Sequence, residues 1–167
     1  MRCASGAIRR GPSDMLRFVL IAAAALSLAA CQGQQKLPDQ SAASRAFLEK
    51  TANEAGVQKL PSGVMYKVVR EGPANGVRPQ LSDEVKVHYE GKLVDGKVFD
   101  SSYERGQPAE FPVGGVIAGW VEALQLMGTG SKWRLHVPSE LAYGAQGVGS
   151  IPPHSVLVFD VELLDIL

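Results

Sequence analysis

Beyond residue 31 the chain contains no cysteine. Its only two, Cys3 and Cys31, lie at the very start of 167 residues. No disulfide and no thiolate metal site can therefore brace the body of the chain, and whatever folds there depends on its own core. A surplus of charge is also missing. Lys plus Arg and Asp plus Glu each number 17. Four arginines (Arg2, Arg9, Arg10, Arg17) and one acid (Asp14) precede residue 32, which leaves 13 basic and 16 acidic residues after it, a net charge of −3. A mildly acidic domain repels phosphate backbones, so nucleic-acid binding is disfavoured. Nor is there an apolar run long enough to span a bilayer. Phe18–Ala30 has thirteen uncharged residues, about 20 Å as a helix against a hydrocarbon core of about 30 Å.

What remains is ordinary globular material: 46% hydrophobic and 20% charged residues, with 18 Gly and 10 Pro. The length suits one domain of about 100–150 residues plus a tail. The short apolar run with Arg17 just ahead matches the basic and apolar regions of a secretory signal peptide. It ends in Leu28-Ala29-Ala30-Cys31, which resembles the lipobox of bacterial lipoproteins. That resemblance implies cleavage before Cys31 and lipid on its thiol, and two or three acyl chains suffice for stable anchoring. Gln32, directly after, resembles an outer-membrane sorting signal, so the expected location is the outer membrane facing the periplasm. Met15 opens MLRFVL, a compact signal peptide by itself and an alternative start. Arg9-Arg10 is followed by Gly11-Pro12, which makes it a weak twin-arginine signal.

In the mature chain, residues 32–42 are polar and read as a tether. Ser44 to Ala55 reads as a short helix with Ala46, Phe47, Thr51 and Ala55 on one face, stopped by Gly56. Tether and helix together occupy 32–60. A β-rich domain follows over 61–167. Strands are expected at Val64–Val69, at Val85–Glu90, at Lys132–Val137 and at Val156–Leu163, where apolar and polar residues alternate or strand formers cluster. Asp95-Gly96 marks a hairpin. Trp120, Ala123, Leu124 and Met127 fall at helical spacing, closed by Gly128 and Gly130. The fold class is α+β: an antiparallel sheet wrapped around one short helix, preceded by the tether and a short N-terminal helix. Three histidines (His88, His136, His154) read as surface residues rather than metal ligands, and no metal is expected.

Four segments carry a resemblance: VHYEGKLVDGKVFDSS (87–102), VIAGWVEALQLM (116–127), LAYG (141–144) and IPPHSVLVFDVELL (151–164). In this order they closely resemble the FKBP family of peptidyl-prolyl cis/trans isomerases, from about Pro61 to Leu167. EKTANEAGVQKLPSGVMYKVV resembles the bacterial branch related to macrophage infectivity potentiators. The implied reaction is rotation about an X–Pro amide, which breaks no bond and calls for no cofactor. The resemblance implies Trp120 as a pocket floor, with Tyr89, Phe99, Val116, Ile117, Ile151 and Phe159 as walls. It implies that the Ile117 N–H and the Tyr143 hydroxyl hold substrate carbonyls, and that Asp100 sets a carboxylate beside the twisting amide. Asp100 and Tyr143 are thus the expected catalytic pair. Ala109 stands where many members carry an aromatic side chain, which leaves one wall open. Expected partners are proline-containing polypeptides of the envelope and, by resemblance, macrolide inhibitors. The Ser44–Ala55 helix is too short for the dimerisation of long-helix relatives, so a monomer is expected. The runner-up reading is a non-catalytic chaperone or protein-binding lipoprotein that uses the same pocket.

Overall fold

The alternation read at Val85–Glu90 belongs to a longer strand through the middle of the molecule. The structure, a computed structural model, describes residues 37–167. The expected signal peptide, the lipid site Cys31 and residues 32–36 lie outside the described residues. In chain order the elements are helix α1 (Ser41–Ala52), strands β1 (Val57–Lys59), β2 (Met65–Arg70), β3 (Glu84–Leu93), β4 (Val98–Ser101) and β5 (Ala109–Pro112), helix α2 (Ala118–Leu124), and strands β6 (Lys132–Val137) and β7 (Leu157–Ile166). The strands form one antiparallel sheet in the order β1-β2-β6-β7-β3-β4, with β5 also paired to β3.

Two partners share one edge of β3. β5 pairs with Glu84–Val87 and β4 with Glu90–Lys92. The opposite edge pairs with β7 from Val85↔Ile166 to Leu93↔Leu157. At the handover, Ser102 serves the Tyr89 backbone instead of a strand. The Tyr89 N–H donates to Ser102 Oγ (2.8 Å), and the Ser102 N–H donates to the Tyr89 carbonyl (2.9 Å). The expected hairpin is present in altered form: only Gly96 takes positive φ (87°), and Lys97 N–H caps on Asp95 Oδ1 (2.9 Å).

Helix α2 covers the apolar face because its Trp120, Ala123 and Leu124, with Met127 just beyond, are all buried against the sheet. They meet Val85, Val87 and Tyr89 of β3, Leu135 and Val137 of β6, and the inward residues of β7 in one core. The approach is close. A Cβ on Gly119 would stand 2.4 Å from Val137 Cγ1, so only glycine fits at that contact. Each large apolar side chain removed from water here contributes about 1.5–3 kcal/mol.

The N-terminal segment departs from expectation. α1 starts at Ser41, its Ala46 is exposed, and Ala55 lies beyond its end and is also exposed. The face turned inward is Ser44, Phe47, Leu48 and Thr51, spaced i, i+3, i+4 and i+7. It packs on the second face of the sheet, where Met65 and His136 are register partners. The Phe47 and His136 rings lie 5.6 Å apart. His136 is therefore buried, not on the surface as its strand phase implied, because the helix covers that phase. Burial pushes its imidazole below the ordinary pKa, against the smaller opposing pull of Glu54. Leu37–Leu167 form one compact unit, β1 extends the sheet beside β2, and the Gln40 N–H bonds the Pro153 carbonyl (3.0 Å). Of the expected tether, residues 37–39 are exposed, and Gln40 is tied to the body of the fold.

Candidate active site

The inward phase of the strands and the start of α2 converge on a cavity of about 440 Å³. β3 supplies Tyr89, β4 supplies Phe99 and Asp100, β5 supplies Phe111, and β7 supplies Phe159. Gly115, Val116 and Ile117 enter on the turn before α2, Trp120 from its first turn, and Tyr143 from the loop after β6. Trp120 is 4% exposed and sits at the centre of the aromatic set. Its ring makes edge-to-face contacts with Tyr89 (5.3 Å), Phe111 (6.1 Å) and Phe159 (5.2 Å). Phe99 meets Phe159 edge-on at 5.7 Å. Such pairs add about 0.5–1.5 kcal/mol beyond area burial and hold the rings in place. Gly91 makes room for them, since a Cβ there would lie 2.6 Å from Phe99 and 2.9 Å from Phe159.

One polar cluster borders this apolar cavity. The Tyr89 hydroxyl donates to Asp100 Oδ2, and Arg105 Nη1 pairs with Asp100 Oδ1. Arg105 Nη2 also donates to Tyr89 Oη (3.0 Å), and its guanidinium lies 5.5 Å from the Tyr89 ring centroid. Burial pushes the Asp100 carboxyl upward, but the hydrogen bonds from Tyr89 and Arg105 and the Arg105 charge outweigh it, so its pKa falls below the ordinary value. The Tyr89 hydroxyl is pushed up, first by burial and then by its bond to Asp100. Both groups therefore hold fixed ionisation states near neutral pH: Asp100 charged, Tyr89 protonated. This cluster is an anchored dipole, not an acid–base pair.

Two further donors belong to residues that line the cavity. Ile117 takes extended geometry at the head of α2 (φ −60°, ψ 148°), and its carbonyl accepts the N–H groups of Trp120 (2.9 Å) and Val121 (3.1 Å). Its own N–H donates to no group among the described residues. Tyr143 is 39% exposed at the rim, and its hydroxyl has no hydrogen-bond partner among the described residues.

Of the residues expected to form the site, Tyr89, Phe99, Asp100, Val116, Ile117, Trp120, Tyr143 and Phe159 line the one cavity. Ile151 does not. It bridges back to Val148 through two backbone bonds (3.0 and 2.8 Å), which turns Ile151 into the core and leaves Val148 exposed. Sequence reasoning passed over Phe111, Gly115 and Arg105. Phe111 was detectable, since it falls two residues after Ala109 on the same face of a short strand. Phe111 lines the cavity, and Ala109 does not. Arg105 carries no such mark, because a loop brings it back to Asp100.

The model of the FKBP-type peptidyl-prolyl cis-trans isomerase domain matches residues 76–164, and the model of the domain amino terminal to it matches residues 18–68. The chain is 54% identical over 135 residues to the FKBP-type 22 kDa peptidyl-prolyl cis-trans isomerase of Escherichia coli K12, covering 80% of this chain and 65% of that one. It is 44% identical over 133 residues to the outer membrane protein MIP of Legionella longbeachae, covering 79% and 56%. It thus spans just under two thirds of the first relative and little more than half of the second. Among solved structures, a peptidyl-prolyl cis-trans isomerase of Pseudomonas syringae superposes with a TM-score of 0.70 at 42% identity, covering 75% of this chain and 92% of that one.

Proposed function

The chain belongs to the FKBP-type peptidyl-prolyl cis-trans isomerase family, and on that premise we propose that it catalyses rotation about X–Pro amides in polypeptides of the cell envelope. The barrier to this rotation, about 18–20 kcal/mol, comes from donation of the nitrogen lone pair into the carbonyl. Twisting removes that donation, which makes the carbonyl more ketone-like and less dependent on water. An apolar cavity therefore favours the twisted amide over the planar one. The observation that carries this reading is a cavity whose floor and walls are aromatic, with its single charged cluster fixed at one edge.

In this mechanism the proline ring lies over Trp120, between Phe99, Phe111 and Phe159. The Ile117 N–H and the Tyr143 hydroxyl, neither committed within the fold, hold peptide carbonyls on either side of the bond. Asp100 faces the polarised carbonyl carbon, its charge held in place by Arg105 and Tyr89. No proton or electron pair leaves the substrate, and no cofactor is needed.

Cys31 carries the lipid that anchors the chain, and Gln32 directs it to the outer membrane, with the catalytic domain in the periplasm. The support is the lipobox-like LAAC run together with similarity to a relative named as an outer membrane protein. The protein acts as a monomer, since α1 has 12 residues and its inward face is used against the sheet. The same cavity takes FKBP-directed macrolides. The test is the cis-to-trans rate of a proline tetrapeptide against concentration of the full-length protein in detergent. A linear rise that such a macrolide blocks supports the isomerase. A flat line from folded protein transfers the cavity to a non-catalytic chaperone role.

A further inference from the structure

α1 is tied through one side chain to the segment ahead of β7, which in turn bonds the loop that carries Tyr143. Ser44 is 5% exposed, and its hydroxyl makes two bonds to the segment ahead of β7. It donates to the His154 carbonyl (2.7 Å) and accepts the Val156 N–H (3.0 Å). One turn earlier, the Gln40 N–H donates to the Pro153 carbonyl (3.0 Å). Residues 153–156 lie outside the sheet, which begins again only at Leu157, and three of their backbone groups, the Pro153 and His154 carbonyls and the Val156 N–H, are satisfied from the N-terminal segment.

This clamped segment closes the loop that begins at Tyr143. The His154 N–H donates to the Gly144 carbonyl (2.9 Å), and the Tyr143 carbonyl accepts the Gly147 N–H (3.2 Å). His154 is the one non-glycine residue with positive φ (57°) among the described residues. A side chain disfavours that conformation, which persists only where neighbours hold it. Here Ser44 holds its carbonyl and Gly144 holds its N–H. The chain of bonds runs from Ser44 through His154 to Gly144, next to Tyr143.

We propose that Ser44 is a positioning residue for the isomerase site: through His154 and Gly144 it sets where the Tyr143 hydroxyl stands over the cavity. The N-terminal helix thereby governs the grip on the peptide, while the aromatic floor is left as it is. This rests on the isomerase reading above.

The test compares wild type, Ser44→Ala, Ser44→Thr and Tyr143→Phe in the full-length protein, on a proline tetrapeptide well below the melting temperature. Ser44→Ala should raise KM about 3- to 10-fold with kcat within about twofold, the mark of lost uniform binding. It should also speed amide exchange at His154 about tenfold while β3 and β6 stay protected. Ser44→Thr, which keeps the hydroxyl, should restore KM. In a Tyr143→Phe background the Ser44→Ala effect on KM should vanish, because the two act through one group. An unchanged KM, or the same KM shift with and without the Tyr143 hydroxyl, overturns the proposal. If Ser44→Ala does not fold, Gln40→Pro removes one donor from the same clamp and must shift KM in the same direction. Wild type that fails to accelerate exchange sinks the isomerase reading and this inference together. Active wild type with an indifferent Ser44→Ala sinks this inference alone.

Discussion

Replacing Asp100 with Asn separates the charge of this group from its shape. The amide keeps a hydrogen-bonding oxygen for Tyr89 but gives Arg105 no ion partner. The Asp100 and Arg105 side chains are 43% and 44% exposed, so the pair itself stabilises the fold by no more than about 1 kcal/mol. Thermal stability should hardly move. Rotation feels the charge directly. Two unit charges about 5 Å apart, at an effective dielectric between that of a protein surface and that of water, interact by about 1–3 kcal/mol, and a carbonyl carbon carries about half a unit, so the charge is worth about 0.5–1.5 kcal/mol. The exposure favours the lower half of that range, a fall in kcat/KM of about 2- to 5-fold. The pH profile adds a sign. Because the Asp100 pKa is lowered, the carboxylate stays ionised throughout the weakly acidic and neutral range. The wild-type rate should then be flat from about pH 5 upward, as Tyr89 is shifted the other way, above about 10. The protease-coupled tetrapeptide assay measures both. An Asp100→Asn enzyme with unchanged kcat/KM and melting temperature, or a wild-type inflection between pH 5 and 9, would refute the electrostatic role.

Three other substitutions probe the cavity wall, the helix–sheet contact and the buried histidine. Phe111→Ala removes an aromatic wall of the cavity and should raise tetrapeptide KM about 3- to 10-fold, with the half-buried site limiting the stability loss to about 1–2 kcal/mol. Gly119→Ala forces a Cβ to within 2.4 Å of Val137 Cγ1. The overpacking should cost about 1–3 kcal/mol and lower the melting temperature by about 3–10 °C, read by circular dichroism. His136 has a folded pKa below its unfolded value of about 6.5, so the unfolded chain binds more protons between the two values. Its contribution is complete above about pH 6.5 and is lost as pH falls below that, at up to about 1.4 kcal/mol per pH unit. Urea midpoints from pH 7.5 to 5 should show this slope in wild type and lose it in His136→Gln.

Where the chain's pattern was strong, it foretold the structure. Lys132–Val137 forms a strand with the expected bounds, and Trp120, Ala123, Leu124 and Met127 bury the expected stripe. The expected cavity residues rest on the family resemblance rather than on any period, since Phe99 lies on a four-residue strand and Val116, Ile117 and Tyr143 lie outside strands and helices. β1 and β5 were not legible, since three or four residues are too few to display an alternation. The face of α1 was misread for a different reason. No apolar stripe selects it; Ser44 and Thr51 are its fully buried members, and Ser44 is drawn inward by backbone groups more than a hundred residues away. His136 followed from that error, for its phase is polar only if nothing covers it. Ile151 and Arg105 depend on how loops close, which adjacent residues do not encode.

The position of the cavity follows from the sheet itself. β3 changes partner at Tyr89, from β5 before it to β4 after it, and the lining residues come from both partners and from the junction. A strand edge shared in this way leaves a backbone stretch without a strand beside it. Ser102, wholly buried, fills that role with both its N–H and its hydroxyl, and its hydroxyl also meets His88 Nδ1 (2.9 Å). The divergence that would expose unsatisfied groups in an ordinary sheet is thus sealed behind Tyr89, while its front face stays open. The ring of Tyr89 packs against Trp120 and Phe111, and its hydroxyl anchors Asp100. Apolar walls and a fixed charge therefore meet at one residue. In the proposed rotation, which breaks no bond, those two are held still relative to each other while Ile117 and Tyr143 grip the peptide on either side.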